Sequence, residues 1–253
     1  RELAEQSSRF AHVLRAHGIG AGERMFLLAG RVPELYVATL GALRAGVVVS
    51  PLFSAFGPEP VRARMEIGKA GVLVTTEAQY RRKVAEWRDQ MPSLRLVLVI
   101  GDTAPAGCVA LGPAMANAPG QFPTHPTAAE DMALLHFTSG TTGLPKGVVH
   151  VHEAVVAHAE TGRIALDLRP GDTYWCTADP GWVTGMSYGI ISPLCNRATL
   201  VVDEAKFDLE RWYTILERER VQVRYTAHTA IRMLIHAGAE AARGHTLYNL
   251  RIV

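Results

Sequence analysis

The ten residues from Thr138 to Gly147 combine the chemical groups that bind phosphate. The run reads T-S-G-T-T-G-L-P-K-G and holds three glycines, four hydroxyl side chains and one lysine. Glycine lets backbone N–H groups turn toward a ligand, and such turned amides form an anion-binding concavity. The hydroxyls add donors and Lys146 adds a mobile positive charge. The composition favours a polyphosphate site, with a Gly/Thr-rich hairpin turn as the alternative.

Other phosphate loops and a serine nucleophile do not fit this stretch. A Walker loop requires Gly-Lys-Ser/Thr, whereas Lys146 follows Pro145. The partial match to a dinucleotide fingerprint at residues 18–22 follows a helical pattern rather than a strand, which predicts a helix end and a loop. Ser139 is not in a G-x-S-x-G elbow, so a catalytic serine is not indicated. The candidate phosphate-binding residues are Thr138, Ser139, Gly140, Thr141, Thr142, Gly143 and Lys146.

Short apolar runs alternate with helical patterns along the whole chain, which predicts an α/β fold with mostly parallel sheets covered by helices. Residues 101–128 are rich in Pro, Gly and Ala and show no clear period. They predict a connector that ends a first α/β lobe at residues 1–128, with a second lobe and the phosphate loop at 129–253. Predicted helices span residues 2–17, 33–43, 58–70, 78–90, 153–166, 186–194, 209–219 and 230–237. Predicted strands span residues 25–29, 47–49, 72–74, 96–100, 132–137, 148–149, 172–177, 200–202 and 221–225.

A second informative stretch, Thr177–Gly185, reads T-A-D-P-G-W-V-T-G and follows a predicted strand. Ligands of open α/β sheets bind beyond the carboxyl ends of strands, so its position suits a site. The residues Asp179-Pro180-Gly181 predict a turn. Trp182 and Val183 offer an apolar wall and Thr184 one hydroxyl. The alternative is a loop with a packed tryptophan.

The residues Tyr225–Ala230 form a third strand-to-helix junction. Either Thr226 or Thr229 is expected to cap the following helix, because threonine hydroxyls accept from the first free amides. Capping alone would explain the composition of this junction.

Three histidines near the phosphate loop raise the possibility of a metal site. His150 and His152 are two residues apart on one face of a strand, and His136 precedes the loop. Metal sites usually need a fuller set of ligands, and no carboxylate or cysteine stands at matching spacing. No metal-binding residue is therefore predicted.

The composition is that of a globular protein, with 253 residues, 48% hydrophobic and 20% charged. A net charge of +2 argues against a dedicated nucleic-acid surface. The three separated cysteines fit a reducing compartment, and neither a membrane span nor a signal peptide is visible. We expect a cytoplasmic protein. The opening at Arg1 and the strand-like run 250–253 predict a fragment of a longer polypeptide.

With these stretches in hand, the chain resembles the adenylate-forming acyl-CoA synthetases. The phosphate loop matches the most distinctive motif of that superfamily. The run Y-W-C-T-A-D-P-G-W-V-T-G (Tyr174–Gly185) is similar to the acetyl-CoA synthetase branch. Further similar runs are P-L-F-S-A-F-G-P-E (Pro51–Glu59), R-W-Y (Arg211–Tyr213) and Y-T-A-x-T-A-I-R-M-L (Tyr225–Leu234).

The resemblance implies an ATP-dependent ligase that activates a short-chain carboxylate, acetate first of all, and transfers it to CoA. It assigns residues 138–146 to the β- and γ-phosphates, with Mg²⁺ as cofactor, and gives Lys146 and Thr184 catalytic roles. It places the acyl carboxylate near Trp182, Val183 and Thr184. It places Ala227 near the route of the CoA pantetheine arm.

The chain departs from the family in two positions and in length. Arg197 and His228 stand where the family usually has Gly and Pro, and a positive φ at Arg197 would strain its backbone. The later motifs and the mobile C-terminal part of the ligase lie outside these 253 residues, so the isolated chain is expected to be inactive. The alternatives are a medium- or branched-chain synthetase and a non-catalytic nucleotide-binding remnant.

Overall fold

The computed structural model describes residues 1–139 and 144–253, and the chain divides into two compact units, Arg1–Glu153 and Ala154–Val253. Both units alternate strands with helices, so the predicted α/β fold is confirmed. The boundary lies later than the one expected at residue 128. The phosphate-loop hairpin therefore belongs to the first unit, because its strands join the sheet of that unit.

The first unit is a parallel sheet extended by an antiparallel hairpin. In the part of the chain described, its strands are hydrogen-bonded in the order β5-β4-β3-β1-β2-β6-β7. The neighbours from β5 to β6 run parallel, and β6 pairs with β7 antiparallel. The strands are β1 (Arg24–Leu28), β2 (Val48–Pro51), β3 (Val72–Thr76), β4 (Leu96–Ile100), β5 (Val109–Ala110), β6 (Met132–Ser139) and β7 (Pro145–Val151).

The helices of the first unit connect these strands, as parallel pairing requires. They are α1 (Glu2–Ala16), α2 (Pro33–Arg44), α3 (Pro58–Ile67), α4 (Glu77–Lys83) and α5 (Leu111–Ala116), with a 3₁₀ turn at Arg88–Gln90. The helix predicted at 78–90 is shorter than expected because Val84 and Trp87 leave the helical path and bury their side chains in the core beside Tyr80. The connector 101–128 contains β5 and α5, which are too short to show a period.

The hairpin is attached to the parallel sheet at β2. Val49 of β2 pairs with Leu134 of β6, and the buried Ser50 hydroxyl donates to the Leu135 carbonyl oxygen at 2.7 Å. Leu135 and Phe137 pack with Phe26 and the strand residues of the main core. The burial of these large side chains, each worth about 1.5–3 kcal/mol, holds the base of the phosphate loop in the sheet.

The second unit has a smaller parallel sheet in the order β10-β8-β9 within the described residues. Its strands are β8 (Thr173–Cys176), β9 (Thr199–Val201) and β10 (Val223–Tyr225). Its helices are α6 (Ala154–Ala165), α7 (Ser192–Cys195), α8 (Leu209–Arg218) and α9 (His228–Ala237), with a π-helix at Thr184–Ile191 and a 3₁₀ turn at Ala239–Ala242. Ile252 forms a parallel bridge with Val223, which agrees with the strand character predicted for residues 250–253.

No helix of the described chain is long and apolar enough to cross a membrane.

Arg197 ends α7 in a left-handed conformation, with φ at 59°. Its N–H donates to the Leu194 carbonyl at 3.1 Å, and the Ala198 N–H donates to the Pro193 carbonyl at 2.9 Å. This is the Schellman arrangement, in which glycine normally holds the left-handed position. The positive φ considered from the sequence is confirmed, so Arg197 carries backbone strain.

Replacing Arg197 with glycine is expected to raise the free energy of unfolding by about 0.5–1 kcal/mol, since glycine removes the strain at a small entropic cost. Chemical denaturation of the chain measures the change. Arg232→Gly in the exposed interior of α9 is the control and should lower stability by a similar amount. Equal destabilisation by both substitutions would show that Arg197 carries no strain that glycine can relieve.

Candidate active site

Thr138 and Lys146 are cross-strand partners at the base of the phosphate loop, and both side chains are exposed. Directly opposed residues of an antiparallel pair have Cβ atoms about 5 Å apart and point to one face of the sheet. A hydroxyl and an ammonium group therefore flank one side of the loop, where both can contact the same anion. The adjacent residue Leu144 is also exposed, at 68% of its full area.

The tip of the loop lies outside the described residues. Gly140, Thr141, Thr142 and Gly143 belong to that gap, and Ser139 is described by its backbone pairing with Pro145. The two strands predicted on either side of the loop are present, with β6 ending at Ser139 and β7 beginning at Pro145. The roles assigned to these five residues remain predictions.

Two of the three histidines come together on the hairpin. His136 and His150 make an edge-on ring contact with centroids 5.0 Å apart, and His136 is buried. His152 lies beyond β7, and burial lowers the pKa of its imidazole. No group of three or more His, Cys, Asp or Glu among residues 1–139 and 144–253 is arranged to hold a metal ion.

The loop after β8 begins with the predicted turn. The Gly181 N–H donates to Asp179 Oδ1 at 2.7 Å, and the Trp182 N–H donates to the Asp179 carbonyl at 3.0 Å. A side chain that accepts from a backbone amide two residues on is the reason why Asp favours turns. The double hydrogen bond to Asp179 fixes the backbone just before Trp182.

The side chains that follow this turn are open to solvent in the chain. Trp182 is 46% exposed and Val183 is 38% exposed, while Thr184 is half-buried. Since nearly half of the indole is exposed and the rest is covered, the binding site and its alternative, a loop with a packed tryptophan, both stay predictions. An apolar surface with one adjacent hydroxyl remains available for a small ligand.

Thr184 opens a π-helix rather than the α-helix expected at 186–194. The buried Tyr174 hydroxyl donates to the Tyr188 carbonyl in this helix at 2.7 Å, and burial raises the pKa of Tyr174 above its ordinary value. Wider π turns occur mostly as short segments, often at functional sites. Sequence periodicity does not reveal such a turn, because the hydrogen bond that accompanies it comes from a different strand.

The junction after β10 differs from the prediction in its cap. Ala227 is the N-cap residue of α9, and no side chain caps this helix, so the capping roles expected for Thr226 and Thr229 are wrong. The Thr226 hydroxyl instead lies 2.5 Å from the Thr177 hydroxyl at the end of β8. This contact brings two of the predicted strand-to-helix junctions together within the second unit, and exposed Ala227 follows directly.

Comparison with known proteins identifies the class to which this fold and these loops belong. The profile of the family described as "AMP-binding enzyme" matches residues 1–253, so the chain belongs to that family. A solved structure of an acyl-CoA synthetase from Brucella canis superposes with a TM-score of 0.90 at 33% identity. It is matched over 99% of this chain and 45% of its own length, which confirms the fold predicted from the resemblance.

Within the family, the chain is similar to proteins named acetyl-coenzyme A synthetase. It is 43% identical to the one from Bacillus subtilis (strain 168), over all of this chain and 44% of that protein. It is 34% identical to the one from Methanothrix thermoacetophila, over all of this chain and 41% of that protein. The chain thus spans less than half of the length of these relatives.

Gly185 is expected to tolerate no side chain. A methyl group there would overlap the Asp179 carbonyl and lie 2.8 Å from the Pro180 nitrogen. Gly185→Ala should lower the free energy of unfolding by about 2 kcal/mol, because backbone rather than a flexible side chain must move. Gly244→Ala is the control, since its added carbon meets no described atom within 4 Å. Chemical denaturation compares the free energies of unfolding of the two variants. An equally small change in both would show that the Asp179 backbone does not lie against Gly185.

His228 occupies the first position of α9, where proline is favoured. The preceding Ala227 has φ −79° and ψ 146°, the extended conformation that a following proline requires. His228→Pro should therefore raise the free energy of unfolding by about 0.4–1 kcal/mol.

Thermal denaturation tests this expectation against Arg232→Pro, which places proline in the interior of the same helix. The interior variant should lose about 3 kcal/mol, since it removes a helical hydrogen bond. Destabilisation by His228→Pro would show that α9 does not begin at this residue.

Proposed function

We propose that this chain is the N-terminal part of an ATP-dependent acid–thiol ligase that activates a short-chain carboxylate and transfers it to CoA. The observation that carries the proposal is the exposed Thr138–Lys146 pair at the base of a Gly/Thr-rich loop. Membership of the AMP-binding enzyme family supports a nucleotide as the ligand of that loop. Because the chain spans less than half of its relatives' length, the complete reaction is assigned to the full-length ligase.

In the first step, a carboxylate oxygen attacks the α-phosphorus of ATP, which yields an acyl-adenylate and pyrophosphate. Lys146, Thr138 and the loop amides would hold the charge that develops on the leaving pyrophosphate. Donors fixed in advance at such a position typically contribute 10²- to 10³-fold in rate. In the second step, the CoA thiol attacks the acyl carbonyl and AMP leaves.

Mg²⁺ bound with the nucleotide would neutralise part of the phosphate charge. In proteins this ion commonly uses one or two carboxylates together with the phosphates of the substrate. We assign no residue of this chain to the ion.

The acyl group is assigned to the loop after β8. Thr184 would donate a hydrogen bond to the carboxylate, and Val183 and Trp182 would enclose a short alkyl group. Exposure of both apolar side chains at the carboxyl end of a parallel strand supports this assignment. The similarity to proteins named acetyl-coenzyme A synthetase supports acetate as the acid. Ala227 at the start of α9 is assigned to the route of CoA.

Acetate-dependent exchange of labelled pyrophosphate into ATP by the full-length ligase tests the first step. The double variant Lys146→Ala plus Thr138→Ala should lower the exchange rate about 100-fold, since it removes two donors to the leaving group. Lys206→Ala, an exposed lysine of the second unit, is the control and should exchange at the wild-type rate. Normal exchange by the double variant would show that the loop is misassigned.

A series of straight-chain acids from acetate to hexanoate tests the size of the acyl site. The value of kcat/KM should be highest for acetate and fall with each added methylene, because each one is worth roughly 1–3 kcal/mol in a tight apolar site. A maximum at a longer or branched acid would instead favour the medium- or branched-chain alternative. No turnover with any acid, together with retained ATP binding, would favour the nucleotide-binding remnant.

A further inference from the structure

The hydrogen bond between Thr177 and Thr226 links two loops that are separated by 49 residues in the sequence. Thr177 directly follows β8 and Thr226 directly follows β10, and these strands are parallel neighbours with Tyr225 paired to Cys176. The Thr177 N–H donates to the Tyr225 carbonyl at 3.0 Å, so the ladder continues for one residue beyond the strands. The hydroxyl contact of 2.5 Å then joins the side chains at the edge of the sheet.

The Thr226 hydroxyl contacts Thr177, although the sequence predicted a capping role for it. A threonine at the N-cap position commonly accepts from the free amides of the first turn, but Ala227 holds that position in α9. In α9 no side chain caps these amides. The Thr226 hydroxyl instead lies within hydrogen-bond distance of the other loop, and the first turn of α9 is left without a side-chain cap.

Short backbone paths lead from this contact to the residues assigned to substrates. From Thr177 the chain passes through the Asp179 turn, whose two hydrogen bonds fix the approach to Trp182 and Thr184. From Thr226 the next residue is Ala227. A shift of either threonine would therefore move a loop that is assigned to the acyl carboxylate or to CoA.

We propose that Thr177 and Thr226 are positioning residues that lock the acyl loop after β8 to the CoA-facing start of α9. In this role the two threonines act on each other, and through the loops on the substrates. Their hydrogen bond holds the two loops at one spacing, so that the acyl group and the thiol meet in a fixed arrangement. The proposal rests on the function proposed above for these two loops.

Hydrogen exchange tests the lock on the 253-residue chain without any assumption about activity. Thr226→Val keeps the shape of the side chain and removes the hydroxyl. It should speed amide exchange in the segment 179–185, which is distant in sequence, by about three- to tenfold, the range that the loss of one hydrogen bond produces. Thr173→Val at the opposite end of β8 is the control, because its hydroxyl makes no hydrogen bond within the described chain. Unchanged exchange in that segment would overturn the lock.

Steady-state kinetics of the full-length ligase test the role of the two threonines in catalysis. Thr226→Val and Thr177→Val should each raise KM for acetate and for CoA about three- to tenfold, with KM for ATP unchanged. The double variant should be no worse than Thr177→Val alone, since Thr226→Val then has no remaining partner hydroxyl to lose. Thr226→Ser should restore the wild-type values. An equal rise of all three KM values, or failure of serine to restore them, would assign the threonines a merely structural role.

The exchange and the kinetic experiments distinguish a failure of the Thr177–Thr226 proposal from a failure of the proposed function. If the wild-type ligase forms no acyl-CoA, the proposed function is wrong while the exchange data still decide whether the loops are coupled. If Thr226→Val does not fold, Thr177→Val breaks the same hydrogen bond from the other strand, and exchange is then measured in the peptide that contains Ala227. Faster exchange there supports the lock, and unchanged exchange overturns it.

Discussion

Parallel strand pairing is the constraint on which the candidate site of the second unit depends. Strands that run in one direction place all their carboxyl ends at one edge of the sheet, and helices must return the chain to the other edge. The pairing of β8 with β10 in register therefore decides that Thr177 and Thr226 are neighbours. In the first unit, the antiparallel pairing of β6 with β7 has the corresponding effect, because its register alone sets Lys146 opposite Thr138.

Much of this architecture could be predicted from local patterns. Pro33 and Pro58 start helices where proline suits the first position, and the apolar run Leu96–Ile100 is a strand with the bounds expected. Asp179 formed its predicted turn because an Asx turn needs only neighbouring atoms. These features are local in origin, so the residues themselves contain the information.

The features that could not be predicted depend on tertiary contacts. The hairpin joins the first unit through the pairing of Val49 with Leu134, the Ser50 hydroxyl and the packing of Leu135 and Phe137 on the main core. The π-helix receives a hydrogen bond from Tyr174, and Thr226 contacts Thr177 instead of capping its own helix. In each case the deciding partner lies on another strand, where propensity and spacing carry no signal.

The sequence runs that resemble the acyl-CoA synthetases differ in what their side chains contact. In R-W-Y, Arg211 pairs with the buried Asp203, Trp212 packs edge-on against Trp175 at 5.1 Å, and Tyr213 stacks on His245. These contacts tie the motif into the packing of the second unit. Thr138 and Lys146 at the edges of the phosphate loop, and Trp182 and Val183 in the run after β8, keep exposed side chains instead, which structural roles do not require.

Phosphate binding by the loop between β6 and β7 is measured by isothermal titration of the 253-residue chain with ATP, compared with Lys146→Ala under the same conditions. We expect saturable binding that weakens at least tenfold in the variant, because a charged hydrogen bond to phosphate is lost. Equal affinity of the two proteins for ATP would show that the loop does not bind the phosphates.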